Sequence, residues 1–120
     1  IDYFDNKLVK TLKKKYQNFD LIFSANTITH ISDYNSIFSN LSKILSDDGV
    51  LIIEEPSLME AIKNNTYDQF YNEHIYVFSS ISLNNILKKH NLEIYDVENL
   101  EIHGGSNRYY IKKKNKIFKK

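Results

Sequence analysis

The chain has 120 residues, 42% hydrophobic and 13% aromatic, which is enough apolar material for one core of ordinary domain size and not for two. It contains no cysteine, so disulfides, thiolate zinc sites and a cysteine nucleophile are excluded, and its net charge of +1 sets no overall preference for nucleic acid. No apolar run approaches the roughly 18 to 20 residues that span a bilayer and no signal stretch opens the sequence; a soluble, cytoplasmic protein with neither membrane nor nucleic-acid partner is expected.

Asp5 is placed to cap a helix whose apolar positions Leu8, Val9, Leu12 and Tyr16 follow helical spacing. Asp20 then leads into Leu21-Ile22-Phe23, a continuous apolar run of the kind found in strands buried on both faces. The pattern repeats. Asp33 heads a second helix with Ile37, Phe38, Leu41, Ile44 and Leu45 on one stripe; Asp47-Asp48-Gly49 breaks it, and Val50-Leu51-Ile52-Ile53 reads as a second strand ended by Pro56. Helix, strand, helix, strand with short links predicts an α/β fold with a parallel sheet.

Periodicity fails over residues 57–78 apart from a short helix near residues 58–62, and Tyr67, Phe70, Tyr71 and Tyr76 are aromatics expected to be buried there. A long aromatic connection after a buried strand is commonly functional. Ser79 or Ser80 caps the next helix, with Leu83, Ile86 and Leu87 inward and Asn91 closing it in the left-handed conformation. Alternating stretches at residues 92–100 and 106–111, separated by His103-Gly104-Gly105, read as two final strands joined by a turn. Six of the nine residues from Lys112 to Lys120 are lysine, read as a solvated edge and set apart as residues 112–120 from a domain of residues 1–111.

Ligands of open α/β sheets sit beyond the carboxyl ends of parallel strands, which singles out Asn26, His30, Glu54 and Glu55. Tyr71-Asn72-Glu73-His74 is a second candidate: a carboxylate beside an imidazole can orient its tautomer, and a phenol can donate to a developing oxyanion. A solvent-facing Glu73/His74 pair in a loop of packing aromatics fits the same spacing. His103-Gly104-Gly105-Ser106 followed by Arg108 is the third, since adjacent glycines allow close backbone approach and turn amides can bind an anion; an ordinary glycine turn explains the glycines equally well. No helical His-x-x-x-His pair is present, and no metal is expected.

These segments resemble the S-adenosylmethionine-dependent C-methyltransferases of deoxysugar biosynthesis, over three quarters of the chain from Phe19 to Arg108. Asp20-Leu21-Ile22-Phe23-Ser24-Ala25-Asn26 with His30 is similar to the family's fourth-strand motif, and Asp48-Gly49-Val50-Leu51-Ile52-Ile53-Glu54-Glu55-Pro56 to its fifth strand. The Tyr67-Asp68-Gln69-Phe70-Tyr71-Asn72-Glu73-His74 loop resembles the substrate loop, and His103-Gly104-Gly105-Ser106-Asn107-Arg108 the final hairpin; the pairing of these two is more specific than the strands.

The resemblance implies a partial Rossmann-like methyltransferase sheet, the fourth to seventh strands with flanking helices and the last strand antiparallel. It implies S-adenosylmethionine as cofactor and a nucleotide-linked 4-keto-deoxysugar methylated at C-3 as substrate. His74 would be the general base with Glu73 and Tyr71 as its neighbours, and Tyr71 or His30 would steady an enolate. Asn26 would face the cofactor, and His103, Gly104, Gly105, Ser106 and Arg108 the substrate. The family's glycine-rich cofactor loop and the acidic residue ending its second strand have no match here, so an interior fragment carrying the acceptor half of a site is expected. The competing reading is a non-catalytic anion-binding or assembly fragment acting through Arg108 and the lysines.

Overall fold

A computed structural model describes residues 4–66, 68, 70–102 and 104–114. Each helix begins where the sequence supplies an acceptor for the amides its first turn leaves unpaired. Asp5 takes the Leu8 amide at 2.8 Å and starts α1 (Asn6–Tyr16). Asp33 takes the Ser36 amide at 3.0 Å and starts α2 (Tyr34–Ile44), and hydrogen bonds from Ser36 hold its carboxyl below the usual range. Ser57 caps α3 (Leu58–Asn64), and Ser79, not Ser80, caps α4 (Ser80–Lys88) through a reciprocal box with Ser82. Asn91 takes the positive φ expected of it, 60°.

The strands are β1 (Phe19–Ala25), β2 (Leu45–Pro56), β3 (Leu92–Leu100) and β4 (Ser106–Lys113), in the spatial order β1-β2-β4-β3. β1 and β2 are parallel neighbours, and β4 inserts antiparallel between β2 and β3. This is the mixed α/β sheet that the helix-strand alternation and the terminal hairpin predict. β4 runs through Lys113, and Lys112 and Lys113 pair with Glu93 and Asp47 at 3.5 and 3.1 Å.

The core is one-sided. Leu51 and Ile53 of β2 lie in register with Ile111 and Tyr109 of β4, and this face meets Ile37, Phe38 and Leu41 of α2 and Leu83 and Leu87 of α4, all buried. Ile86 packs against the same cluster. No helix among the described residues is long and apolar enough to cross a membrane.

Two expectations are corrected. β1 is not buried on both faces: among the described residues it is an edge strand, and Leu21 and Phe23 are 61% and 59% exposed, whereas Ile22 between them packs against the core that α2 and α4 cover. Nor does Asp47-Asp48-Gly49 separate helix from strand. α2 ends at Ile44, Leu45 already pairs with Phe19, and the acidic stretch forms a bulge inside β2, five residues on from Leu45 to Val50 against two from Phe19 to Leu21. Gly49 permits the bulge, since a Cβ there would lie 2.7 Å from Ser46 Oγ and 3.0 Å from the Phe19 carbonyl.

Tyr109 is fully buried and its hydroxyl accepts from Asn107 Nδ2 at 3.2 Å; burial pushes its phenol up from the ordinary value. A folded-state value above the unfolded one gives stability that is complete below about pH 10 and declines as pH rises through the raised value. Urea unfolding followed from about pH 8 to about pH 11 should show a falling midpoint, and Tyr109→Phe should flatten that part of the alkaline loss.

Candidate active site

β2 ends on Glu54-Glu55-Pro56, and because successive strand side chains point to opposite faces, the two carboxylates part. Glu55 turns to the helix side and is fully buried. Its Oε1 accepts the amides of Thr27 and Ile28 at 3.0 and 2.7 Å, and its Oε2 accepts the Thr29 hydroxyl at 3.0 Å. Those donors open the single 3-10 turn Ile28–His30 that follows β1. Thr27 does not cap the turn, its hydroxyl donating instead to Ala25 O at 2.8 Å, so the capping acceptor comes from the neighbouring strand. Asn26 turns the chain out of β1 with φ 48°, a conformation asparagine tolerates, while its amide continues the ladder to Glu54 O at 2.8 Å.

The turn holds the loop after α3. His30 Nδ1 lies 2.8 Å from the Glu73 carbonyl. A carbonyl only accepts, so this nitrogen carries the proton and Nε2 of the neutral ring carries the lone pair. Thr29 O accepts the amides of Ile75 and Tyr76 at 2.9 and 3.4 Å, and the Tyr76 hydroxyl donates to Ser32 O at 2.8 Å. Inside the loop the Tyr71 hydroxyl lies 2.7 Å from His74 Nε2, with the rings 4.0 Å apart, and the His74 ring lies 4.9 Å from that of His30.

The structure thus brings Tyr71, His74 and His30 together beyond the end of β1, with Asn26 exposed at the head of the same turn. Glu73 enters through its backbone carbonyl, and its side chain is exposed. Phe70 and Tyr71 are 51% and 45% exposed, against the expectation of burial, whereas Tyr76 packs partly buried against the core and Phe78 lies in it. Tyr67 and Gln69 lie outside the described residues.

The hairpin residues form a second grouping. Gly104 and Gly105 have φ of 71° and 111°, and a Cβ on Gly105 would lie 2.5 Å from Glu60 Cβ of α3, so the close approach that its missing side chain allows is to a helix. Ser106 is buried with its hydroxyl on Ile102 O at 3.3 Å, and His103 lies outside the described residues. Arg108 donates to Glu54 through Nε and to Glu98 through Nη1 at 2.8 Å; the hydrogen bond to Glu54 is the first cause of a guanidinium pKa raised above its ordinary value. Its charge is compensated inside the sheet, which weakens the anion-binding reading. Beside the hairpin a cleft of about 540 Å³ is lined by Glu60, Asn64, Thr66, Asn99 and Gly104. Among the described residues no group of three or more His, Asp or Glu is placed to hold a metal ion.

Glu55 is the residue whose part the sequence reading missed. An acidic residue continuing an apolar buried strand has to find donors, and that signal was present beside Glu54.

Residues 3–97 match the family model described as a methyltransferase domain. The chain belongs to the methyltransferase domain family. The domain is 35% identical over 86 residues to the C-methyltransferase NovU of Streptomyces niveus, a match that covers 72% of this chain and 20% of that relative's length. Its fold is that of S-adenosylmethionine-dependent methyltransferases. A solved one from Anabaena variabilis superposes with a TM-score of 0.68 at 12% identity over 95% of this chain and 57% of that one, and one from Clostridium acetobutylicum with 0.63 at 17% identity over 82% and 59%.

Gly105→Ala in this methyltransferase domain should cost about 1 to 3 kcal/mol, since it combines a strained φ with a contact to Glu60. Gly104→Asn should cost less, because asparagine visits the left-handed region. Chemical denaturation of both variants checks the order.

Proposed function

We propose that this domain supplies the acceptor side of an S-adenosylmethionine-dependent C-methyltransferase whose substrate is a nucleotide-linked 4-keto-deoxysugar methylated at C-3. The observation that carries the reading is the hydrogen bond of 2.7 Å between the Tyr71 hydroxyl and His74 Nε2, with the tilted ring of His30 at 4.9 Å from that of His74. A carbon beside a ketone becomes nucleophilic only when its proton leaves, and the enolate that forms needs a donor aimed at its oxygen. A phenol and an imidazole in contact are the two groups such a step requires.

In this reading His74 Nε2 takes the α proton, and the Tyr71 hydroxyl, released from that nitrogen, donates to the enolate oxygen. His30 is the second acceptor, its Nε2 lone pair set by the Glu73 carbonyl. Bound S-adenosylmethionine supplies an electrophilic methyl group. Asn26 fits beside it: an exposed amide side chain at the carboxyl end of a parallel strand, where ligands of open α/β sheets lie. His103, Gly104, Gly105, Ser106 and Arg108 are assigned to the sugar; Gly104 and Gly105 line the hairpin cleft. The similarity to a C-methyltransferase supports carbon as the atom methylated.

In the full-length protein, His74→Asn and Tyr71→Phe should each lower turnover by about 10² to 10⁴-fold while calorimetry shows cofactor binding unchanged. Solvent exchange of the α proton, which needs no methyl transfer, should vanish in His74→Asn. Exchange at the parent's rate in that variant would move the base to His30.

A further inference from the structure

We infer that Glu55 is a positioning residue whose buried carboxylate fixes the turn of residues 27–30 and, through it, both backbone neighbours of His74 and the tautomer of His30. The catalytic consequence rests on the methyl-transfer reading above; the structural part does not.

A single 3-10 turn has no further turns to stabilise it, and its hydrogen bonds are poorly aligned. Here it is held from outside. Three donors, the amides of Thr27 and Ile28 and the hydroxyl of Thr29, converge on one side chain that is itself fully buried. No neighbour replaces it, because Glu54 lies on the opposite face of the strand and is bound to Arg108. Removal of the acceptor leaves buried amides unpaired, which the chain relieves by reshaping the turn.

What the turn presents is a clamp on both sides of His74. Thr29 O receives the Ile75 amide at 2.9 Å, and His30 Nδ1–H reaches the Glu73 carbonyl at 2.8 Å. Residues 73 and 75 are therefore fixed by residues 29 and 30, and the imidazole between them is brought to the Tyr71 hydroxyl. The Glu73 carbonyl also decides which nitrogen of His30 is protonated, so a shift of the turn alters the chemistry of that ring as well as its position.

The test uses the full-length protein uniformly labelled with ¹⁵N, in wild-type form and as Glu55→Met and Thr29→Val. Methionine keeps the length of the side chain without its acceptor oxygens, and Thr29→Val removes the Oε2 partner while leaving both amide bonds, so it keeps the test open if the first variant folds poorly. Long-range ¹H–¹⁵N spectra of the wild type should show His30 as the Nδ1–H tautomer. In Glu55→Met that single tautomer should give way to a mixture and the Ile75 amide should exchange about tenfold faster or more, with Thr29→Val intermediate. kcat should fall by about 10 to 100-fold with KM for the cofactor unchanged, as expected of a misplaced reacting group. A wild-type His30 tautomer together with wild-type Ile75 protection in both variants would overturn the inference. If tautomer and exchange respond but no nucleotide-linked keto sugar is methylated or loses its α proton, the positioning role stands and the proposed reaction falls.

Discussion

Two consecutive carboxylates at the end of a strand must find donors on two faces of a sheet, and the candidate site is arranged around how they do so. Glu54 meets Arg108, its register partner on β4, and ties the central strand to the terminal hairpin. Glu55 meets the turn after β1 and ties the same strand to the residues around His30. Both interactions are needed for reasons of solvation before any reason of function: a buried carboxylate without donors would be among the costliest features such a chain could carry.

The helix starts were legible because caps are local, and Asp5, Asp33 and Ser79 each bond an amide three residues on. The topology was legible because short helix-strand links leave few alternatives to a parallel pair, and a glycine turn between alternating stretches gives a hairpin. The exposure of Leu21 and Phe23 was not, because a run of apolar residues reports what a strand could bury and says nothing of which side the helices take. Asp47-Asp48-Gly49 misled for a related reason: its composition marks a break in periodicity, and a bulge inside a strand breaks periodicity as a loop does.

The candidate site was legible as residue types and not as bonds. Tyr71, His74 and His30 stood out by their chemistry, and the fold places them in contact. Glu73 and Tyr71 were both expected beside His74; in the structure the Tyr71 phenol lies against His74 Nε2, and Glu73 gives its backbone carbonyl to His30. Sequence neighbours in a tight turn rarely face one another, and the His74 amide closes such a turn onto Tyr71 O at 2.9 Å, which carries residue 74 back over residue 71.

A shared fold does not fix a shared chemistry, and the solved methyltransferases that superpose here at 12% and 17% identity establish the sheet and helices alone. In this domain three residues at and just beyond the end of β2, Glu54, Glu55 and Ser57, reach the candidate groupings. Glu54 holds Arg108, Glu55 holds the His30 turn, and the Ser57 amide reaches Gly105 O at 3.1 Å while its hydroxyl caps α3 and accepts from Asn107 at 3.3 Å. Ser57 also bridges to Phe78, so the loop carrying Tyr71 and His74 leaves from α3 and returns to the same strand end. The loop is long and its Phe70 and Tyr71 are half exposed, yet both of its ends and its middle are referred to one segment of the central strand. A loop held in this way can change its residues, and with them its substrate, without changing the geometry that presents them.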